Sequence, residues 1–345
     1  MSRRLTCSRQ VLSMDSYLIT GGTGLAGNYV VRELVDRGYD ADQIVVYDLY
    51  PNEAVIEDVR DDLTLIRGDV TDTEQLTETF ERYEPTRVVH LAAYVAHRAW
   101  ENPTEAIRVN CVGTNNVFDA VRDFDVSTCV FASTASVYGT VDDYYWMDDP
   151  TVRESDPVKV RNPYAATKYV NEVMGRTYDR KFEPNYVGVR LGGVWGRGRR
   201  VGATGELNEF VRQAGLGRDV TVPAYWTQWD GINLSYGKDL GRWFVELAGM
   251  GPFDHLVYNQ GNREAYEFDR IVETLRALSP EVTIDYPSPE EMDDWGDALA
   301  NPTLDCGRWY DELGLTQEWS VEEAVLDFVN YHRRAEGLPE RRLPG

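Results

Sequence analysis

The chain has 345 residues, with 58 acids against 35 bases, so its formal charge is −23. That sign excludes a nucleic-acid partner, because phosphate neutralisation needs basic patches. An apolar fraction of 42% with 12% aromatics is enough for a packed core and excludes disorder, while no apolar run approaches the roughly 18 residues of a membrane-spanning helix.

Residues 1–15 read as a disordered tail or the product of a misplaced start site. Tyr17–Thr20 reads as the first strand, and the helical spacing over Asn28–Arg37 stops at Gly38. Further strands are expected at Ile44–Tyr47, Leu63–Arg67, Val88–Leu91 and Cys129–Ala132, with helices at Thr73–Tyr83, Thr104–Asp123 and Tyr164–Phe182. Continuous apolar strands alternating with helices predict an α/β fold, a doubly wound parallel sheet covered on both faces. Val187–Leu191 and Leu256–Gln260 fit as later strands of that sheet. Residues 192–235 are rich in Gly, Arg and aromatics, and 280–320 are acidic and broken by Pro280, Pro287, Pro289 and Pro302. The expected organisation is a dinucleotide-binding domain over 16–191 and a smaller cap over 192–334, some of which returns to the core. Val321–Arg334 is expected to close it as an amphipathic helix, and 335–345 form a tail.

Four cysteines (Cys7, Cys111, Cys129, Cys306) and four histidines (His90, His97, His255, His332) are scattered without metal-ligand spacing. No metal and no disulfide framework is expected, and a reduced cytoplasmic compartment fits.

The strand Tyr17–Thr20 runs into Gly21-Gly22-Thr23-Gly24-Leu25-Ala26-Gly27, and a helix follows. Glycines at a strand-to-helix turn let the backbone approach a pyrophosphate, which the helix N-terminus favours electrostatically. Asp48 ends the second strand 27 residues after Gly21. A carboxylate there accepts hydrogen bonds from ribose hydroxyls and repels a 2′-phosphate, so NAD is expected over NADP. Gly68-Asp69-Val70 fits a contact to the adenine amino group. Leu91-Ala92-Ala93 offers the small residues that close backbone approach requires, and His90 reads as a packed strand histidine.

Tyr164 and Lys168 stand at i and i+4, on one helical face. A cation held near a phenol favours the phenolate, which can then act as a base near neutral pH. Lys168 is one of only four lysines beside 31 arginines, which suggests that a compact ammonium is needed there. About 30 residues earlier, Ser133-Thr134-Ala135-Ser136 ends a strand and supplies hydroxyls that could hold a substrate oxygen. The scarcity of lysine and the excess of acid also predict a protein adapted to concentrated salt, as in haloarchaea, where self-repulsion is screened.

As a set, these motifs resemble the extended short-chain dehydrogenase/reductase superfamily, in its NAD-dependent epimerase/dehydratase group. The matching residues are TGGTGLAG (20–27), Asp48, GDV (68–70), HLAA (90–93), Asn110, STASVYG (133–139), YAATK (164–168) and LGGVWGRG (191–198), and the resemblance covers about 16–334. It implies a Rossmann-type core that binds NAD and a C-terminal cap that binds substrate. It implies cofactor contacts at Gly21, Gly24, Leu25, Ala26 and Gly27, at Asp48, Asp69 and Val70, and at Leu91, Ala92, Ala93 and Asn110. Tyr164 becomes the acid/base, Lys168 the ribose anchor and pKa modulator, and Thr134 the hydroxyl that polarises the substrate oxygen.

Family dehydratases carry Asp-Glu directly after that threonine. Here Ala135 and Ser136 follow, so water elimination is not expected. Family epimerases hold the substrate diphosphate with an Asn and two Arg, which by ungapped register are Gly193, Ile232 and Trp295 here. Arg197, Arg199, Arg200 or Lys238 could compensate. Tyr94, Ser136, Gly193, Trp229 and Trp295 are candidate substrate residues. The aromatics Tyr144, Tyr145, Trp146, Tyr225 and Trp226 fit either sugar stacking or a cap core. The expectation is an NAD-dependent oxidoreductase acting on a secondary hydroxyl of a carbohydrate-like substrate, as dehydrogenase or epimerase, in a homodimer. The alternatives are a nucleoside-diphosphate-sugar 4-epimerase and a non-catalytic NAD-binding sensor.

Overall fold

A computed structural model describes residues 15–147, 151–198, 203–224, 226, 233–262, 268–288, 290 and 301–343. Seven strands form the central sheet: β1 (Tyr17–Thr20), β2 (Ile44–Asp48), β3 (Thr64–Arg67), β4 (Arg87–His90), β5 (Thr128–Thr134), β6 (Asn185–Leu191) and β7 (Val257–Gln260). Their order is 3-2-1-4-5-6-7 and every pairing is parallel. This is a Rossmann-type doubly wound sheet.

The burial explains why these segments become strands. All four residues of β1 and all seven of β5 are buried. Successive side chains point to opposite faces, so Leu18, Val45 and Val88 join one core cluster and Ile19, Val46 and Val89 the other. The first face is covered by α2 (Thr73–Tyr83), α3 (Thr114–Asp123) and α4 (Pro163–Lys181). The second is covered by α1 (Leu25–Asp36) and, further along the chain, the helix Gly237–Ala248.

Boundaries differ from the sequence expectation in instructive places. α1 begins at Leu25 rather than Asn28, directly after the glycine turn. α4 begins at Pro163, because Asn162 accepts the Ala165 amide (2.8 Å) and proline suits the first helical position. The helix expected over 104–123 is three joined pieces: Pro103–Ala106, a π-helical stretch Ile107–Gly113, then α3.

Beyond 192, among the described residues, the sequence reading missed a short helix at Gly307–Asp311 and three longer ones: α5 (Ala203–Gly215), α6 (Gly237–Ala248) and α7 (Asp269–Leu278). α5 and α7 pack with α8 (Val321–Ala335) around a second core that includes Leu207, Phe210, Ile271, Leu275 and Phe328. Trp226 belongs to this core, stacked on Phe268 with centroids 5.8 Å apart. No helix among the described residues is long and apolar enough to cross a membrane.

Candidate active site

The order of the sheet reverses between β1 and β4, and there a cleft of about 700 Å³ opens at the strands' carboxyl ends. On one wall, β1 runs into Gly21, whose φ of +68° is open to glycine and strained for most other residues. Its N–H donates to Tyr47 O (2.8 Å), and its own carbonyl accepts from Gly24 N (3.0 Å). No side chain caps α1 at Gly24, so the helix begins with bare amides. A Cβ on Gly27 would lie 2.3 Å from Gly21 O, and one on Gly21 would lie 2.8 Å from Ala92 N. The turn is therefore a backbone cradle that side chains would fill, and it fits a pyrophosphate. Leu25 and Ala26 continue this wall.

Asp48 closes β2 on the same cleft. Its Oδ2 accepts from Thr23 N (3.1 Å) and Thr23 Oγ1 (2.7 Å), and its Oδ1 accepts from Tyr50 N (3.2 Å). Asp69 and Val70 also line the cleft. Burial pushes the Asp69 carboxyl up, but its bonds with Thr71 and its pairing with Arg108 (3.2 Å) outweigh this and hold it below its ordinary value. Leu91, Ala92, Ala93 and Tyr94 form the facing loop.

Asn110, expected at the cofactor, stands behind that loop and off the cleft wall. Its Oδ1 accepts from Tyr94 N (2.7 Å), and its Nδ2 donates to Tyr94 O (3.0 Å) and Thr167 Oγ1 (2.9 Å). Its hydrogen-bonding capacity is thus spent on fastening the loop to α4. The π-helical stretch that carries it is a common device near functional sites. His90 is buried between Thr20 Oγ1 (2.7 Å) and Thr114 Oγ1 (2.9 Å), as a packed strand histidine would be.

The floor brings Tyr164, Lys168 and Thr134 together with Ser136. Lys168 is fully enclosed, and its Nζ lies 5.8 Å from the Tyr164 ring centre. Burial pushes its pKa down to about 8, opposed by Cys111. Thr134 ends β5, where its Oγ1 accepts from Ser136 N (3.2 Å), leaving its own O–H to donate. Ser136 Oγ in turn donates to Asn301 Oδ1 (3.4 Å).

On the substrate side, Gly193 lines the cleft, while Ile232, Tyr225, Trp229, Trp295, Arg199 and Arg200 lie outside the described residues. Of the cations expected to compensate for lost anchors, the two among the described residues are engaged elsewhere. Lys238 pairs with Asp327 (2.7 Å), and Arg197 pairs with Asp58 (3.2 Å) and covers the Tyr331 ring. Tyr144 is core, its hydroxyl donating to Pro157 O, and Tyr145 and Trp146 are exposed away from the cleft. The sequence reading missed Arg98, Trp100, Arg108, Asn162 and Thr204 on the cleft wall. Only Asn162 carried a usable signal, as the cap and proline pair that opens α4.

Comparison with known proteins agrees with this geometry. The model of the NAD dependent epimerase/dehydratase family matches residues 17–239. The chain is 25% identical to the UDP-glucose 4-epimerase of Caenorhabditis elegans, over 92% of this chain and 97% of that one. The UDP-glucose 4-epimerase of Thermus thermophilus, solved with NAD, superposes with a TM-score of 0.73 at 25% identity, covering 93% and 99% of the two chains. The L-threonine dehydrogenase of Clostridium difficile shares the fold, with a TM-score of 0.76 at 19% identity over 93% and 98%.

Proposed function

The chain belongs to the NAD-dependent epimerase/dehydratase family, and from that premise we propose that it oxidises a secondary hydroxyl of a carbohydrate-like substrate, as a sugar dehydrogenase or epimerase. The observation that carries this reading is the meeting of Tyr164, Lys168 and Thr134 in the cleft that also holds the glycine turn and Asp48. NAD, when bound, supplies the hydride acceptor. Tyr164, as phenolate, takes the hydroxyl proton, and Thr134 hydrogen-bonds the same oxygen. Lys168, held near the ring, favours the phenolate. The segment beyond 192 serves as the substrate cap. A ketone that leaves makes the enzyme a dehydrogenase, and one that turns and regains hydrogen on its other face makes it an epimerase. Ala135 and Ser136 supply no carboxylate pair for dehydration.

The test is a panel of free sugars, sugar acids and small alcohols with NAD, followed both for NADH and for inverted product. Turnover of one member supports the reading. NAD binding with no turnover of any supports the sensor alternative.

The names of the relatives favour a second reading, a nucleotide-sugar 4-epimerase. Against it, neither Arg197 nor Lys238 lines the cleft, and Arg108, which does, is already paired with Asp69 and Glu105, so beside Arg98 few positioned cations remain among the described residues to hold a diphosphate. Calorimetry with UDP, dTDP and GDP on the NAD-loaded protein should give dissociation constants near or above about 1 mM. Micromolar binding would make this second reading the first.

A homodimer is part of the proposal. Ile107 and Val112 on the π-helical stretch and Val170 and Val173 on neighbouring α4 are about half exposed. Apolar residues grouped on adjoining helices suit a second copy of the chain, and Val173→Asp should yield a monomer by sedimentation.

A further inference from the structure

Tyr164 and Lys168 occupy only part of the buried face of α4. Thr167, Asn171 and Glu172 on the same helix are also enclosed, and each is tied to a different part of the scaffold. Thr167 accepts from Asn110 behind the facing loop. Asn171 donates to Thr114 Oγ1 (3.1 Å), which reaches β4 and β1 through His90 and Thr20. Glu172 makes the strongest link. Ser133 Oγ on β5 donates to its Oε1 (2.6 Å), and Arg190 on β6 grips it with two bonds, Nε to Oε1 (2.9 Å) and Nη2 to Oε2 (2.7 Å). Arg190 Nη1 extends the network to Tyr138 OH (2.6 Å), which donates to Asn259 on β7 (2.8 Å).

Glu172 lies one helical turn beyond Lys168, and Ser133 is the residue before Thr134. One carboxylate therefore joins the helix that carries the base to the strand that carries the polarising hydroxyl. A fully buried ion pair contributes little net stability, because desolvation offsets the attraction. What its geometry supplies is register.

We propose that Glu172 is a positioning residue: through Ser133 and Arg190 it fixes α4 against β5, so that Tyr164 and Thr134 converge on one substrate oxygen with Lys168 held beside the phenol. The inference rests on the proposed role of Tyr164 as base.

The probe is the Tyr164 phenol itself, which requires no substrate. Its titration is read by difference absorbance against Tyr164→Phe in the NAD-loaded protein. The first variant is Glu172→Leu with Arg190→Met, which removes both charges and leaves neither buried alone. The second is Glu172→Asp, which keeps the charge and shortens its reach. The groups facing Lys168, Cys111 from the π-helical stretch and His90 from β4, are unchanged in both variants. A moved midpoint therefore reports the Lys168–Tyr164 geometry.

The wild-type phenol should titrate below the usual value of about 10. The double variant should bind NAD as before and titrate about one pH unit higher, a tenfold change in acidity, with Glu172→Asp in between. A folded, NAD-binding double variant with the wild-type midpoint overturns the proposal. If that variant does not fold, Glu172→Asp decides by the same criterion. A wild-type phenol that titrates at its ordinary value refutes Tyr164 as base, and the inference falls with it.

Discussion

Asp48 already accepts hydrogen bonds through both oxygens, from Thr23 and from Tyr50. A carboxylate offers about four lone-pair sites and three of these are taken, so capacity for one ribose hydroxyl remains, whereas a 2′-phosphate would meet a fixed negative charge. NAD should bind more tightly than NADP in a fluorescence titration, and Asp48→Ala should narrow the gap. Tighter NADP binding by the wild type would remove the assignment. Thr134 sits at the other end of the cleft with a free O–H aimed by its bond from Ser136 N. Thr134→Ala should slow turnover roughly 10²–10³-fold, the usual loss for one donor to a developing oxyanion, while Tyr164 continues to act as base.

Among the elements, the end of β4 makes a pH dependence unavoidable. Burial, with the charge of Lys168 adding to it, pushes the His90 pKa down to about 3. Below about pH 6.5 the unfolded chain takes up a proton at this histidine and the folded chain does not. Its contribution to stability is therefore complete above pH 6.5 and is lost as pH falls from 6.5 towards 3, by up to about 1.4 kcal/mol per pH unit. Lys168 is protonated in both states below pH 7 and adds nothing to that slope. Urea unfolding between pH 7 and pH 5 should show a shallower slope in His90→Asn than in the wild type, and equal slopes would contradict this account. The same scale shows what the sequence could reveal. β1, β2 and β5 were legible because strands buried on both faces read as unbroken apolar runs. α6 was not, because it opens on Gly237, carries Gly241 and buries polar Asp239 among its apolar residues. The start of α1 was missed because Gly27 looks like turn, although it is helical and kept small by Gly21 O. Contiguous motifs gave Thr134, Tyr164 and Lys168. Arg98 and Thr204 reach the cleft only through long-range packing, which no local spacing records, and the true place of Asn110 emerged only from its bonds to Tyr94 and Thr167.

For the molecule as a whole, −23 charges on 345 residues make self-repulsion a term in folding. The Debye length falls from about 10 Å at 0.1 M salt to about 3 Å at 1 M, so the melting temperature should rise substantially between low and molar KCl. A melting temperature indifferent to salt would refute adaptation to concentrated salt. None of this bears on the proposed reaction, which assigns the proton transfer to one phenol in the shared cleft. The most direct measurement is therefore turnover and NAD affinity of Tyr164→Phe, set beside the wild type on whichever alcohol the panel selects. Loss of turnover with NAD affinity unchanged is the predicted result, because the substitution deletes the proton acceptor and leaves the glycine turn, Asp48 and Lys168 in place. Residual activity within tenfold of the wild type would mean that another group is the base.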